Sequence, residues 1–205
     1  MNKLLGIIIA LILLFSLSGC CKENEKKIAF TEEYKYYLDE TIIADKGWDW
    51  FDKTKYEEAL NNHVFEKVDY EEIKKAMEGK NKTVIYFGFN PSFYQCPYCV
   101  ACLPIANEAA KISKIDKILY LDIYQMRTDN TEEYQWIYNF ILEQHPEFGT
   151  RISVPTYIVV ENGKVLSYHV ATLKYIAEDG TSKFYKGMTE EQTTELKNIY
   201  IDMFK

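Results

Sequence analysis

The order of apolar runs and helical stripes predicts an α/β chain, a mixed central sheet with helices on both faces and an N-terminal extension ahead of it. Three observations predict it. The runs Thr83 to Phe89 and Lys117 to Ile123 are apolar, β-branched and aromatic with no polar face, so each needs cover on both sides. Helical stripes separate the strand-like runs, as parallel crossovers require. The pair Asn162-Gly163 stands between two further apolar runs, which is the strongest hairpin signal in the chain and closes the sheet with antiparallel strands.

Each element follows from local chemistry. Phe30, Tyr34, Tyr37 and Leu38 have helical spacing, and Thr54 with Glu57 predicts a capped helix reaching Asn62. Between them Trp48, Trp50 and Phe51 concentrate aromatic surface. Residues 28–63 therefore read as an extension packed on the main domain, or as an exposed binding surface. Val64 to Val68 is a short strand. Asp69 and Glu72 open a helix with Ile73, Ala76 and Met77 on one face, and Gly79 stops it. After the strand at Thr83, a helix runs from Val100 to Ser113, with Pro97 suited to its first turn because the missing N–H would be unpaired there. Asn130 and Glu133 open the next helix, whose stripe is Tyr134, Ile137, Tyr138, Ile141 and Leu142 and which ends before Pro146. The hairpin Val154 to Val170 follows, then a polar stretch at 171–187 read as a loop or irregular hairpin. Thr189 with Gln192 caps a terminal helix lined by Leu196, Ile199, Tyr200 and Met203.

The first 19 of the 205 residues are set apart. Lys3 precedes an apolar run from Leu4 to Leu17, the layout of a secretory signal and short for a spanning helix. Its end, Leu17-Ser18-Gly19-Cys20, resembles the lipobox of bacterial lipoproteins. That resemblance implies cleavage before Cys20, lipid on Cys20, and a chain anchored to the cell membrane outside the cytoplasm; an uncleaved anchor gives the same placement. Lys22 to Lys27 then reads as a solvated spacer, with residues 20–27 as the lipidated tether. Twenty-four basic residues face 31 acidic ones, a net charge of −7, and no basic stripe exists, which argues against nucleic acid and acidic lipid surfaces as partners. Few arginines beside many Lys, Asn, Ile and Tyr point, with the lipobox, to a Gram-positive source.

Of the five cysteines, Cys96, Cys99 and Cys102 are clustered and no distant pair exists to staple the fold. An exported chain with a close Cys-x-x-Cys and no other bridge reads as one that handles disulfides. If Cys96 begins the helix, the macrodipole and the free N–H groups favour its thiolate, the attacking species in exchange. Cys96 is then the exposed nucleophile and Cys99 the resolving thiol. Tyr98 between them acts through packing and access. Cys102 is either a buried apolar thiol or a third redox cysteine. A Cys-x-x-Cys-x-x-Cys cluster run lacks its fourth ligand, and zinc meets the same shortage, so neither metal nor cofactor is implied. His63, His145 and His169 are not spaced to pair with a nucleophilic cysteine.

Cys96-Pro97-Tyr98-Cys99 after a strand, Pro104 five residues beyond Cys99, and Val154-Pro155 before the hairpin together resemble the thioredoxin superfamily over residues 64–205. The inner pair Pro97-Tyr98 is the one usual in glutaredoxins, and the lipoprotein signal with this motif also looks like the bacteriocin-transport accessory branch. The resemblance implies a thioredoxin-like three-layer fold, a cis Pro155 facing the disulfide, and an extended substrate segment pairing beside it at Val154 and Thr156. It implies thiol–disulfide exchange with exported thiol- or disulfide-containing proteins and with a membrane or extracellular redox partner. The chain departs from thioredoxins in two places. Tyr86 and Phe87 stand where a buried acid belongs in the preceding strand, and Gln95 replaces the Trp before Cys96. The same features also suit a non-enzymatic accessory lipoprotein in which the disulfide is static and the aromatic segment at 28–62 is the working surface.

Overall fold

The computed structural model describes residues 23–205. The expected leader at 1–19, the expected lipid site Cys20 and the start of the expected tether lie outside the described residues. Five strands, β1 (Phe65–Lys67), β2 (Thr83–Gly88), β3 (Ile118–Asp122), β4 (Thr156–Glu161) and β5 (Lys164–Val170), form one sheet in the order β1-β3-β2-β4-β5. β1, β3 and β2 are parallel; β4 runs antiparallel to β2, and β5 to β4. Asn162 and Gly163 link the last two strands, both with positive φ (52° and 71°), the conformation a two-residue hairpin turn needs.

Side chains alternate across this sheet and so divide the core. Val84, Tyr86, Ile118, Tyr120, Tyr157 and Val159 share one face. That face is covered by α1 (residues 23–34), α3 (Lys53–Asn61), α5 (Pro97–Ile112) and α8 (Glu190–Phe204). Ile85, Phe87, Leu119, Leu121, Ile158 and Val160 share the other, under α4 (Tyr70–Glu78) and α7 (Glu132–Gln144). This is the thioredoxin-like three-layer arrangement, with its characteristic central β2 flanked by β3 and β4. No helix among the described residues is long and apolar enough to cross a membrane.

Several local expectations shift. Residues 23–27, expected as a solvated spacer, are the first turns of α1, and Lys26 pairs with Glu72 of α4. The cap of α3 is Asp52, two residues before the expected Thr54, because the Asp52 carboxylate accepts the Lys55 N–H at 3.0 Å. α7 is capped by Thr131, whose hydroxyl accepts from the Tyr134 N–H, while Asn130 sits at positive φ just ahead. Two short helices, α2 (Glu40–Lys46) and α6 (Tyr124–Thr128), had no signal. The stretch after β5 is a small hairpin of β6 (Lys174–Ile176) and β7 (Ser182–Phe184). Two expected caps are in place: the Asp69 carboxylate accepts from the Glu72 N–H at the start of α4, and Thr189 and Gln192 form a reciprocal capping box on α8.

The extension is core rather than appendage. Phe30 and Tyr34 of α1, Tyr37 of the 3-10 turn Lys35–Leu38, and Tyr56 and Leu60 of α3 are all buried against the sheet.

Candidate active site

The candidate site sits where β2 ends, at the carboxyl edge of the parallel strands. The chain leaves Gly88, passes through residues 89–95, and enters α5 with Cys96 as N-cap and Pro97 as first helical residue. Cys96 and Cys99 are joined by a disulfide, with Cα atoms 5.3 Å apart. The helical N-terminus orients the Cys99 N–H onto Cys96 Sγ at 3.2 Å. That geometry favours negative charge on Cys96 when the bond is opened, because an otherwise unpaired helix donor already points at the sulfur.

Opposite the disulfide lies the segment before β4. The Val154–Pro155 peptide bond is cis, and the Val154 carbonyl oxygen is 3.8 Å from Cys96 Sγ. The Pro155 carbonyl accepts from the Ala171 N–H at 2.7 Å, whereas none of the described backbone hydrogen bonds uses the Val154 N–H or carbonyl. Val154 thus presents a backbone edge that an extended segment can pair with, the geometry of strand addition. Thr156, expected beside Val154, offers no side chain to a partner. It is fully buried as the first residue of β4, and its hydroxyl donates to the Ser153 carbonyl.

Cys96 differs from the exposed nucleophile expected. It is 2% exposed, and Cys99 is wholly buried. Its backbone is held from an unexpected side: the Cys96 N–H donates to the Tyr37 hydroxyl at 2.9 Å. Next to it, Gln95 Nε2 donates to the Tyr36 hydroxyl at 3.1 Å and to the Pro91 carbonyl at 3.1 Å. Neither tyrosine was a sequence candidate. Tyr37 carried only its helical spacing with Tyr34, and nothing local ties residue 37 to residue 96.

Tyr98 is half-buried and packs edge-on against Phe184 of β7, ring centroids 6.1 Å apart. On the other flank the loop before the motif forms an aromatic group: Phe93 stacks on Tyr124 (5.9 Å) and Phe89 meets Tyr94 and Tyr124, with the Arg127 guanidinium over Phe89 at 4.4 Å. Phe93 is 62% exposed. The disulfide therefore lies between two aromatic shoulders, one from residues 89–94 and one from the β6–β7 hairpin.

The remaining candidates are structural. Cys102 is buried, donates to the Ala171 carbonyl at 3.2 Å, and burial pushes its thiol up to about 12. His145 ends α7 and bonds both Glu147 and the Val165 carbonyl. His169 lies in β5, and burial lowers its pKa. No described hydrogen bond or ion pair brings a carboxylate to Cys99, and Tyr86, in the position of the expected acid, turns to the opposite face of the sheet and bonds Tyr34 at 2.6 Å.

No family model and no curated protein matches the chain. Solved structures of thioredoxin fold do. Oxidised thioredoxin O2 from Arabidopsis thaliana is 14% identical, covering 70% of this chain and 96% of its own at a TM-score of 0.39. The thioredoxin of Malassezia sympodialis is 16% identical over 69% and 91% of the two chains, TM-score 0.39. That of Trypanosoma brucei brucei is 20% identical over 51% and 76%, TM-score 0.34. The strand order β1-β3-β2-β4-β5, parallel through β1, β3 and β2 and antiparallel at β4 and β5, defines the fold independently of these likenesses.

Proposed function

We propose that this chain is a thiol–disulfide oxidoreductase of the extracytoplasmic face, lipid-anchored at Cys20, which exchanges disulfides with exported proteins through Cys96 and Cys99. One observation carries the reading: the Cys96–Cys99 pair sits at a helix N-terminus with the Cys99 N–H on Cys96 Sγ, facing the Val154 backbone, which none of the described backbone hydrogen bonds uses. In the reducing direction the Cys96 thiolate attacks a partner disulfide, and one partner sulfur leaves as thiolate. Cys99 then gives its proton to solvent and attacks Cys96 Sγ. The second partner sulfur departs, two electrons have passed to the partner, and the Cys96–Cys99 bond has formed. The oxidising direction is the same sequence reversed. The Val154 backbone holds the partner segment in extended form during both attacks.

The competing reading, a binding lipoprotein with a static disulfide, relied on the aromatic segment at 28–62 as its surface. Phe30, Tyr34, Tyr37 and Tyr56 are buried against the sheet, which leaves little of that segment to present.

Equilibrating the full chain with a glutathione series and quantifying the Cys96–Cys99 dithiol tests the proposal. An exchange site gives a potential between about −120 and −270 mV; a static structural disulfide lies below about −300 mV. Cys99→Ser should accumulate a mixed disulfide with glutathione on Cys96 that dithiothreitol releases. A potential below the structural limit, with no such adduct, overturns the assignment.

A further inference from the structure

The two tyrosines of the 3-10 turn Lys35–Leu38 reach across 59 residues of sequence to the two residues that precede and open the active-site helix. Tyr37 accepts the Cys96 N–H at 2.9 Å. This bond uses a lone pair of the phenol and leaves its proton to donate; none of the described hydrogen bonds commits that proton to an acceptor. Burial holds the Tyr37 phenol well above its ordinary pKa, so the proton stays on the oxygen throughout the physiological range. The nitrogen that Tyr37 holds belongs to the same residue as Cys96 Sγ, three bonds away, and none of the described hydrogen bonds joins the hydroxyl to the sulfur while the disulfide is closed. In the disulfide that sulfur is a weak acceptor; as a thiolate it is a strong one.

Resting on the exchange reading above, we propose that Tyr37 is a positioning residue of the redox site: its hydroxyl fixes the Cys96 backbone and donates to the Cys96 thiolate once the disulfide is opened. Opening takes two electrons from a partner dithiol, which leaves as its own disulfide. Of the two protons released, Cys99 keeps one and the other passes to solvent, so the charge that appears on Cys96 needs a donor. The Cys99 N–H is the first and Tyr37 the second. The site thereby gains from the N-terminal segment a donor that residues 64–205 do not contain. Among the described hydrogen bonds, the titratable groups on Cys96 and its neighbour Gln95 are Tyr37 and Tyr36 from the turn, with the Cys99 N–H from α5 on the sulfur. From the β4 side the backbone of Val154 faces it, and none of the described hydrogen bonds or ion pairs brings a carboxylate or ammonium to Cys96.

Tyr37→Phe in the full chain tests this. The variant keeps the ring, which packs among Tyr34, Trp48 and Tyr56, and removes only the hydroxyl. Two readouts apply. The first is the pH dependence of Cys96 alkylation by iodoacetamide after chemical reduction, followed on the Cys96 peptide. Its midpoint should rise by about one unit as the thiolate loses a donor. The second is the glutathione equilibrium, where the disulfide should become about tenfold more favoured, ~30 mV more reducing. Tyr56→Phe serves as the comparison: it deletes an equally buried hydroxyl, one that donates to the Tyr34 carbonyl at 3.1 Å, and should cost stability while leaving both readouts unchanged. If Tyr37→Phe leaves the alkylation midpoint at the wild-type value, or if Tyr56→Phe shifts it equally, Tyr37 has no such role. The alkylation profile is readable whether or not the chain exchanges with glutathione, so the Tyr37 role and the exchange reading stand or fall separately.

Discussion

Cys102 follows the motif closely and shares its helix, yet its surroundings differ in kind from those of Cys96. It is fully buried among the residues on the α1, α3, α5 and α8 side of the sheet, while Cys96 and Cys99 join the cluster of the other side. Its proton is committed to the Ala171 carbonyl, and at about pKa 12 it forms no useful thiolate near neutrality. Cys102→Ala should therefore leave the glutathione equilibrium of Cys96 and Cys99 where it is. It should cost ~1–2 kcal/mol in a urea melt, from the small void and the lost donor. A shift in the potential larger than the wild-type scatter would return Cys102 to the redox site. The sequence left this residue open between two roles because a three-residue spacing does not say on which side of the sheet a thiol will fall.

At the scale of elements, β2 shows how the strand is fitted to what covers it. Gly88 ends the strand under the bonded hydroxyls of Tyr86 and Tyr34; a Cβ there would lie 2.5 Å from one and 2.9 Å from the other. Only a residue without a side chain lets the Tyr34–Tyr86 pair lie over the backbone just before the active-site loop. Gly88→Ala should lower stability by ~1–3 kcal/mol through overpacking, measured as a fall in the urea midpoint at unchanged slope. An unchanged midpoint would mean that the tyrosines move aside freely. The same scale explains which elements could be read beforehand. β2, β3 and the hairpin announce themselves through apolar runs and the Asn162-Gly163 turn, and α4 and α8 through cap pairs with a single solution. α3 and α7 start where neighbouring polar residues compete for the cap, and backbone geometry decided for Asp52 and Thr131. α6, five residues long, is too short to show a stripe. Of the candidate site, the two cysteines and Pro155 were legible because each is marked by its own local pattern. Tyr37 was not, because its contact with Cys96 exists only after the chain has closed on itself.

For the molecule as a whole, the division of the core into two faces follows from strand alternation, but the place of the N-terminal segment does not, and its attachment has a chemical consequence. His63, between α3 and β1, joins that segment to the sheet. Its Nδ1 accepts the Phe65 N–H at 3.1 Å, so Nε2 carries the proton and donates to Thr31 Oγ at 2.8 Å; the Thr31 hydroxyl in turn donates to the Lys27 carbonyl at 3.1 Å. Burial first, then nearby Lys27, lowers the His63 pKa to about 4. A second proton on the ring would have to displace the Phe65 N–H. The sign follows from linkage: the unfolded chain, with a histidine near its ordinary ~6.5, binds this proton before the folded chain does. The neutral ring's contribution is therefore complete above about pH 6.5 and is lost as the pH falls towards about 4. After discounting for the partial exposure of the ring, the loss is ~2 kcal/mol. Burial lowers His169 in the same sense and adds to the slope. Urea midpoints measured across that interval should fall for the wild type. They should fall less for His63→Gln, which starts from lower stability at neutral pH but has no proton to take up. Parallel slopes in the two proteins would show that the junction between α1 and the sheet is not where the acid sensitivity arises. A wild-type midpoint that stays level would show that the ring titrates in the folded state as readily as in the unfolded one.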